Sequence, residues 1–184
     1  MATLLQGPFT VEMYYKLGEL GVFHEDDRVE LINGQIVPLS PIGEAHAACV
    51  RRLIGLLSRR IGAHAIVDAQ NPVVLGESDS PQPDITVLKP RADGYQRHPR
   101  SADLLLVVEV ADTSLAYDRE VKVPRYAQAG VSEVWVVDVN AETISVFRNP
   151  DSDGYGNVLT LKRGGTVRPV NLANVEITAD EILG

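Results

Sequence analysis

Leu104-Leu105-Leu106-Val107-Val108-Glu109-Val110 is the stretch on which the fold of this chain turns. It is aliphatic throughout except for one acid, and its apolar residues do not alternate with polar ones. Such a run is the pattern of a strand buried on both faces, in the middle of a helix-covered sheet. Glu109 breaks it. An isolated carboxylate in such a place costs several kcal/mol or gives up its charge by taking a proton. Glu109 therefore needs a cation, a strong donor, or water at the strand end.

Upstream, Asp84-Ile-Thr-Val-Leu88 reads as a second strand, and the linker Lys89–Ala102 can return the chain antiparallel. The start of the first strand then lies beside the end of the second. Pairing Leu88 with Leu105 pairs Asp84 with Glu109, and cross-strand partners share a face. A slip of one residue would part them. Two carboxylates this close repel unless a divalent cation or a shared proton joins them. Mg²⁺ is commonly held by one or two carboxylates, with water and substrate phosphate completing its shell. As plain carboxylates, the two acids are equally an exposed, solvated pair at strand ends.

Downstream, Leu115 to Ala129 reads as a helix ended by Gly130, and Glu133–Val139 as the next strand. Strand, helix and strand form a crossover unit, so these two strands are expected to be parallel. On that helix Lys122 stands four residues from both Asp118 and Tyr126. Its ammonium can pair within the helix, or it can reach toward a phosphate or an attacking water. Asp118 can cap the helix, pair with Lys122 or orient it.

The remaining elements follow from periodicity and turn chemistry. Thr10 to Leu20 predicts a short amphipathic helix stopped by Gly21. Asn33-Gly34 between two apolar runs is a strong hairpin signal. Gly43 to Ile61 predicts a helix whose apolar face is Val50, Leu53, Ile54, Leu57 and Ile61. His46 projects from the same side, near the helix start. Ala65–Leu75, broken near Asn71-Pro72, and Thr143–Arg148 are further strands, and the tail from Gly154 reads as a hairpin and short strands, with Val175–Leu183 extended or helical. The expected fold class is α/β, a mixed central sheet flanked by helices, with an N-terminal helix and β-hairpin.

At 184 residues the chain fits one domain, 1–184. No apolar stretch approaches the roughly 20 residues that span a bilayer, and MATLLQGPFTVEMYY has no basic, long-apolar secretory start. A single cysteine, Cys49, allows no internal disulfide and no cysteine-rich zinc site. It reads as a small buried hydrophobe, and a cytoplasmic location is expected. The net charge of −8 argues against broad, non-specific nucleic-acid binding but leaves room for a local basic track. One candidate track is the linker with Lys89, Arg91, Arg97 and Arg100, which is either a phosphate guide or a solvated loop.

The segments Pro83-Asp84, Glu109-Val-Ala-Asp-Thr-Ser114 and Asp118-x-x-x-Lys122-x-x-x-Tyr126-x-x-x-Gly130-Val131-x-Glu133-x-Trp135-x-Val137-Asp138 resemble the Uma-type "putative restriction endonuclease" family of the PD-(D/E)XK nuclease superfamily. Val29-Glu-Leu-Ile-Asn-Gly-Gln-Ile-Val and Ser40-Pro-Ile-Gly-Glu-Ala-His46 are similar to its N-terminal half. The resemblance implies a restriction-endonuclease-like fold and a metal-dependent endonuclease that hydrolyses phosphodiester bonds of nucleic acid, DNA ahead of RNA. It implies Asp84 and Glu109 as ligands of Mg²⁺ or Mn²⁺, joined by the Val110 carbonyl. The superfamily lysine two residues past the acid is missing, since Ala111 stands there. The resemblance places that role on Lys122. Glu30, His46, Asp118 and Tyr126 are second-rank candidates. Glu30 also fits an exposed hairpin face, and His46 a satisfied core histidine. Superfamily nucleases often act as dimers, which implies a homodimer. The alternative is a nuclease fold without catalysis, kept for dimerisation or partner binding.

Other chemistries fail on motif grounds. There is no G-x-S-x-G turn and no phosphate-binding G-x-x-x-x-G-K-[ST] loop. Trp135 and Tyr126 read as core rather than as base-stacking groups, and Glu133 and Asp138 as the ends of a buried strand.

Overall fold

The computed structural model describes residues 7–24 and 26–184. The first six residues of the N-terminal stretch read above lie outside it. Helix α1 (Val11–Glu19) is capped by the Thr10 hydroxyl, which accepts from the Met13 N–H at 3.2 Å. Gly21, at φ +71°, turns the chain away after it. Strands β1 (Val29–Ile32) and β2 (Gln35–Pro38) form the predicted hairpin, with Asn33 and Gly34 at φ +51° and +70°. Both central residues of a type I′ turn need such angles, and Asn-Gly tolerates them best. Helix α2 (Glu44–Ile61) buries Cys49, Val50, Leu53, Leu56, Leu57 and Ile61. No described helix is long and apolar enough to cross a membrane.

The main sheet has six strands in the order β3-β4-β5-β6-β7-β8: Ile66–Ala69, Ile85–Leu88, Leu104–Ala111, Glu133–Asp138, Thr143–Asp151 and Gly154–Leu161. Only β5 and β6 run parallel, joined by the expected crossover. The sheet is therefore mixed, with helices on its faces. Alternate residues of β4–β7 feed two cores. Ile85, Val87, Leu106, Val108, Trp135 and Val137 pack toward α2, while Leu88, Leu104, Val107, Val134 and Val136 pack toward the crossover helix with Val123 and Tyr126. This explains the absence of alternation in the Leu104 run, because both of its faces are covered.

Three local expectations need correcting. The crossover helix is not continuous: α3 (Leu115–Tyr117) passes through a π turn, Asp118–Lys122, into α4 (Val123–Gln128). The tail does not form its own hairpin with β8. That strand pairs back onto β7 around the 151–154 turn, and only the short β9 (Thr166–Val167) and β10 (Ile177–Thr178) pair within the tail before α5 (Ala179–Leu183). Of the Ala65–Leu75 stretch, β3 keeps only four residues, and beyond Pro72 a single bridge, Val74 to Arg100, remains.

Candidate metal and phosphate site

The β4–β5 register brings the two acids together. Ile85 pairs with Val108, Thr86 with Val107 and Val87 with Leu106. Extending that register by one residue sets Asp84 against Glu109. A bulge then intervenes, so Leu88 pairs with Leu104 rather than Leu105. The irregularity lies at the far end of the strands and leaves the acid end in register. The Asp84 N–H approaches Glu109 Oε2 at 3.4 Å, and the Val110 N–H donates to Asp84 Oδ2 at 2.8 Å. Because a residue's N–H and C=O leave a strand on the same side, the Val110 carbonyl also faces Asp84.

Glu109 shares its face with Val107 and Ala111, so it looks toward the crossover helix. Two groups from that helix meet it. Lys122 Nζ lies 2.7 Å from Glu109 Oε1, and the Tyr126 hydroxyl donates to the same oxygen at 2.5 Å. The π turn sets the phase. It widens the helix at one turn, so that Asp118, Lys122 and Tyr126 fall along one inward stripe, and such turns recur at functional sites. Lys122 forms no ion pair with Asp118. Its second partner is Glu30 Oε2 at 3.6 Å, while Asp118 accepts from the Ser114 hydroxyl at 2.6 Å.

Glu30 is fully buried, not part of an exposed hairpin face. Hairpin alternation cannot reveal this, because the 80–82 segment and the π turn cover β1 from outside. Glu30 accepts from the Gln82 N–H at 3.0 Å and from the Tyr117 hydroxyl at 3.1 Å. Buried ions cost several kcal/mol each unless paired and hydrogen-bonded. Here every one has partners, from four separate parts of the chain.

His46, in the first turn of α2, places Nε2 3.0 Å from Asp84 Oδ1. That nitrogen is buried and has no aligned hydrogen-bond partner. The contact is thus one of charge proximity rather than a directed bond. Asp84 nevertheless raises the imidazole pKa, with the Val110 carbonyl and Asp118 adding to it and burial opposing. Burial pushes the Glu109 carboxyl up to about 8 against the pull of Lys122. Burial also raises Asp118, with Lys122 and the Ser114 bond opposing. Lys122 is held above the usual lysine range, because Glu109, Glu30 and Asp118 outweigh its own burial. The site thus gathers several carboxylates around one buried ammonium.

The donor set fits a hard divalent ion. Asp84, Glu109 and the Val110 carbonyl offer oxygen donors around one place. Among the described residues no group of three or more His, Cys, Asp or Glu side chains is arranged to hold a metal ion on its own. Mg²⁺ is commonly held by one or two carboxylates, with water and substrate oxygens completing its shell.

All of these groups except Tyr126 and Val110 line a cavity of about 400 Å³, with Arg28, Gln82, Asp112 and Tyr117 also in its wall. Sequence reasoning did not single out Arg28, Gln82 or Tyr117. The only available signal was that Arg28 stands two residues before Glu30, on the same side of a hairpin strand. The basic linker is elsewhere. It joins the C-terminal end of β4 to the N-terminal end of β5, whereas Asp84 and Glu109 stand at the opposite ends of those strands. None of its cations lines the cavity. Arg91 pairs with Asp93, Arg97 lies 3.6 Å from Asp103, and Lys89 donates to the Ala102 carbonyl. The phosphate-guide expectation for this loop falls on topology. Glu133 does more than end a strand. It is fully buried and accepts from Trp135 Nε1, Arg148 and the Val170 N–H, which ties the tail to the sheet.

This mixed six-stranded sheet flanked by helices is a restriction-endonuclease-like fold. The Uma2 family, described as "putative restriction endonuclease", matches residues 11–180, and the chain belongs to that family. A crystal structure of a protein from Anabaena variabilis ATCC 29413, described as a putative nuclease belonging to DUF820, is similar in fold. It superposes with a TM-score of 0.78 at 16% identity, covering 96% of this chain and 98% of that one. No curated protein matches the chain.

Proposed function

We propose that the protein is a divalent-metal-dependent endonuclease that hydrolyses phosphodiester bonds of nucleic acid, DNA in preference to RNA. The observation that carries this reading is the meeting of Asp84, Glu109, His46 and Lys122 in one cavity, supported by membership of a nuclease family. Asp84, Glu109 and the Val110 carbonyl would hold Mg²⁺ or Mn²⁺, which supplies Lewis acidity toward a phosphate and lowers the pKa of water.

The chain's own groups then have distinct tasks. Lys122, fixed between Glu30 and Glu109, presents positive charge to the phosphate as negative charge develops on it in the transition state. The Tyr126 hydroxyl and Lys122 lock the Glu109 carboxylate in orientation. His46 bears on Asp84 from the other side and orients that carboxylate or a water. The Ser114–Asp118 bond holds the entry to the π turn. With Lys122 on the helix, Ala111 leaves no gap in the charge arrangement.

The decisive experiment offers a panel of DNA and RNA substrates with Mg²⁺, with Mn²⁺ and with chelator, beside Glu109→Ala. Ion-dependent cleavage that the variant lacks is the expected result. Full cleavage by the variant overturns the reading. Calorimetric titration separates this from the non-catalytic module, for which millimolar Mg²⁺ or Mn²⁺ would give no binding heat. A homodimer in a cytoplasmic setting completes the proposal. Light scattering checks the dimer.

A further inference from the structure

The main sheet has two edge strands, β3 and β8, and they differ in kind. β3 is four residues long, carries Asp68 and runs into Asn71-Pro72. Short length, a charge and a nearby proline are the features that keep a sheet edge from pairing with another chain. β8 has none of them. It is eight residues long, and Gly154-Tyr-Gly-Asn-Val-Leu-Thr-Leu161 holds neither a charge nor a proline. It keeps one register along β7, so no bulge turns its outer edge aside. The described residues supply no strand on that outer side. Every second residue there turns its N–H and C=O away from β7, ready to bond a further strand. Residues 156–160 are exposed in succession, so both faces of the strand are open as well as its edge. Val158 and Leu159, 56% and 44% exposed, point to opposite faces. They are the only sequence neighbours among the large exposed hydrophobics of the described residues.

The ends of β8 decide which partner fits. Asp151 and Asp153 stand in the turn before it, and Lys162 and Arg163 directly after it. A strand with acids at one end and bases at the other is complementary to itself when turned antiparallel. Two copies of net charge −8 repel over most of their surfaces, but this neutral strip with ends of opposite sign is exempt. A two-fold axis through Val158 sets that residue against its own copy. The same register sets Tyr155 against Leu161 of the second copy, and Asp153 against Arg163. Arg163 already pairs with Glu142 and Asp180. Lys162 beside it is exposed and pairs with no acid among the described residues, so it is the cation available to Asp153 of the second copy.

We propose that β8 is the face by which two copies of this chain associate, its antiparallel self-pairing joining their two sheets into one. The inference gives the homodimer proposed above its interface and does not depend on whether the cavity cuts nucleic acid. The test is sedimentation equilibrium of the full-length protein from micromolar to millimolar concentration, where the parent should be a dimer. Val158→Lys puts like charges directly opposite each other on the axis and should weaken dimerisation at least about tenfold. Lys162→Glu should weaken it as well, and adding Asp153→Lys should recover most of the loss, because the exchanged ends are complementary again. Circular dichroism of each variant should match the parent.

Cross-linking reads the register. Val158→Cys should give a disulfide-linked dimer under mild oxidation, because directly opposed Cα atoms lie about 5 Å apart. Thr160→Cys should not, because its Cα would stand on the order of 13 Å from that of its copy. A monomer at every concentration overturns the inference together with the homodimer. A dimer whose affinity neither Val158→Lys nor Lys162→Glu alters overturns the β8 interface and leaves the homodimer standing. Cleavage measured on the same samples judges the nuclease reading separately.

Discussion

Lys122 holds the site together, because two carboxylates buried as deeply as any in the protein depend on it. Removing one partner of a buried pair costs about 3–5 kcal/mol, since the charge left behind has no water to turn to. Lys122→Met should therefore lower unfolding free energy by an amount in that range, measured by urea titration. Cleavage should fall about 10²–10³-fold, the usual loss when a charge-stabilising donor is removed. At this scale the sequence was readable where a residue contradicted its surroundings. Glu109 betrayed itself by standing in an aliphatic strand, and Asp84 followed from the register. Lys122 stood out by its place on the crossover helix, though its role as the missing superfamily lysine came from the family resemblance, and His46 became a candidate only with that resemblance. Glu30 looked like an ordinary exposed hairpin residue. Its burial comes from Gln82 and Tyr117, which are 52 and 87 residues away and carry no pattern linking them to it.

Among the elements, the π turn is the one that periodicity missed. Its residues look helical, and the extra residue is visible only once the helix must serve both the core and the cavity. Deleting Glu120, which is exposed, would restore α-helical phase and turn the Ser114–Asp118 side by about 100° relative to Lys122 and Tyr126. Circular dichroism should show the helix retained, while cleavage is lost. The small C-terminal helix α5 makes a separate prediction. Glu181 is held below the ordinary range first by the Thr178 N–H, and Asp180 first by the Gly164 N–H. Folded pKa values below the unfolded ones mean that these carboxylates contribute stability above the unfolded values of 4.5 and 3.8. That contribution is lost as pH falls through the depressed folded values. Amide exchange should therefore show α5 opening in acid before the central sheet does. The strand and helix types were legible because each carried a clear period or turn signal. The partner of β8 was not, because an antiparallel strand can fold back on either neighbour and the Asp151–Gly154 turn decides it.

For the whole molecule, the sequence conveyed a mixed sheet with a crossover and two covered faces, and the structure has them. The antiparallel return through Lys89–Ala102 already puts that linker at the pole opposite Asp84 and Glu109, so its reading as a phosphate guide conflicted with the pairing itself. Its position has a further consequence, through the bulge between Val87 and Leu88. The bulge sits between the linker and the acids, and it absorbs the one-residue mismatch of the two strands before the mismatch reaches Asp84. It works as a slip joint: changes in loop length on one side are not transmitted to ligand spacing on the other. Two residues inserted at Gly94 should leave ion affinity and cleavage rate at parental levels, as calorimetry and kinetics would measure. The same insertion between Pro83 and Ile85, where no such joint intervenes, should abolish both. Drift in the length of this chain is tolerated at one pole of the sheet and forbidden at the other.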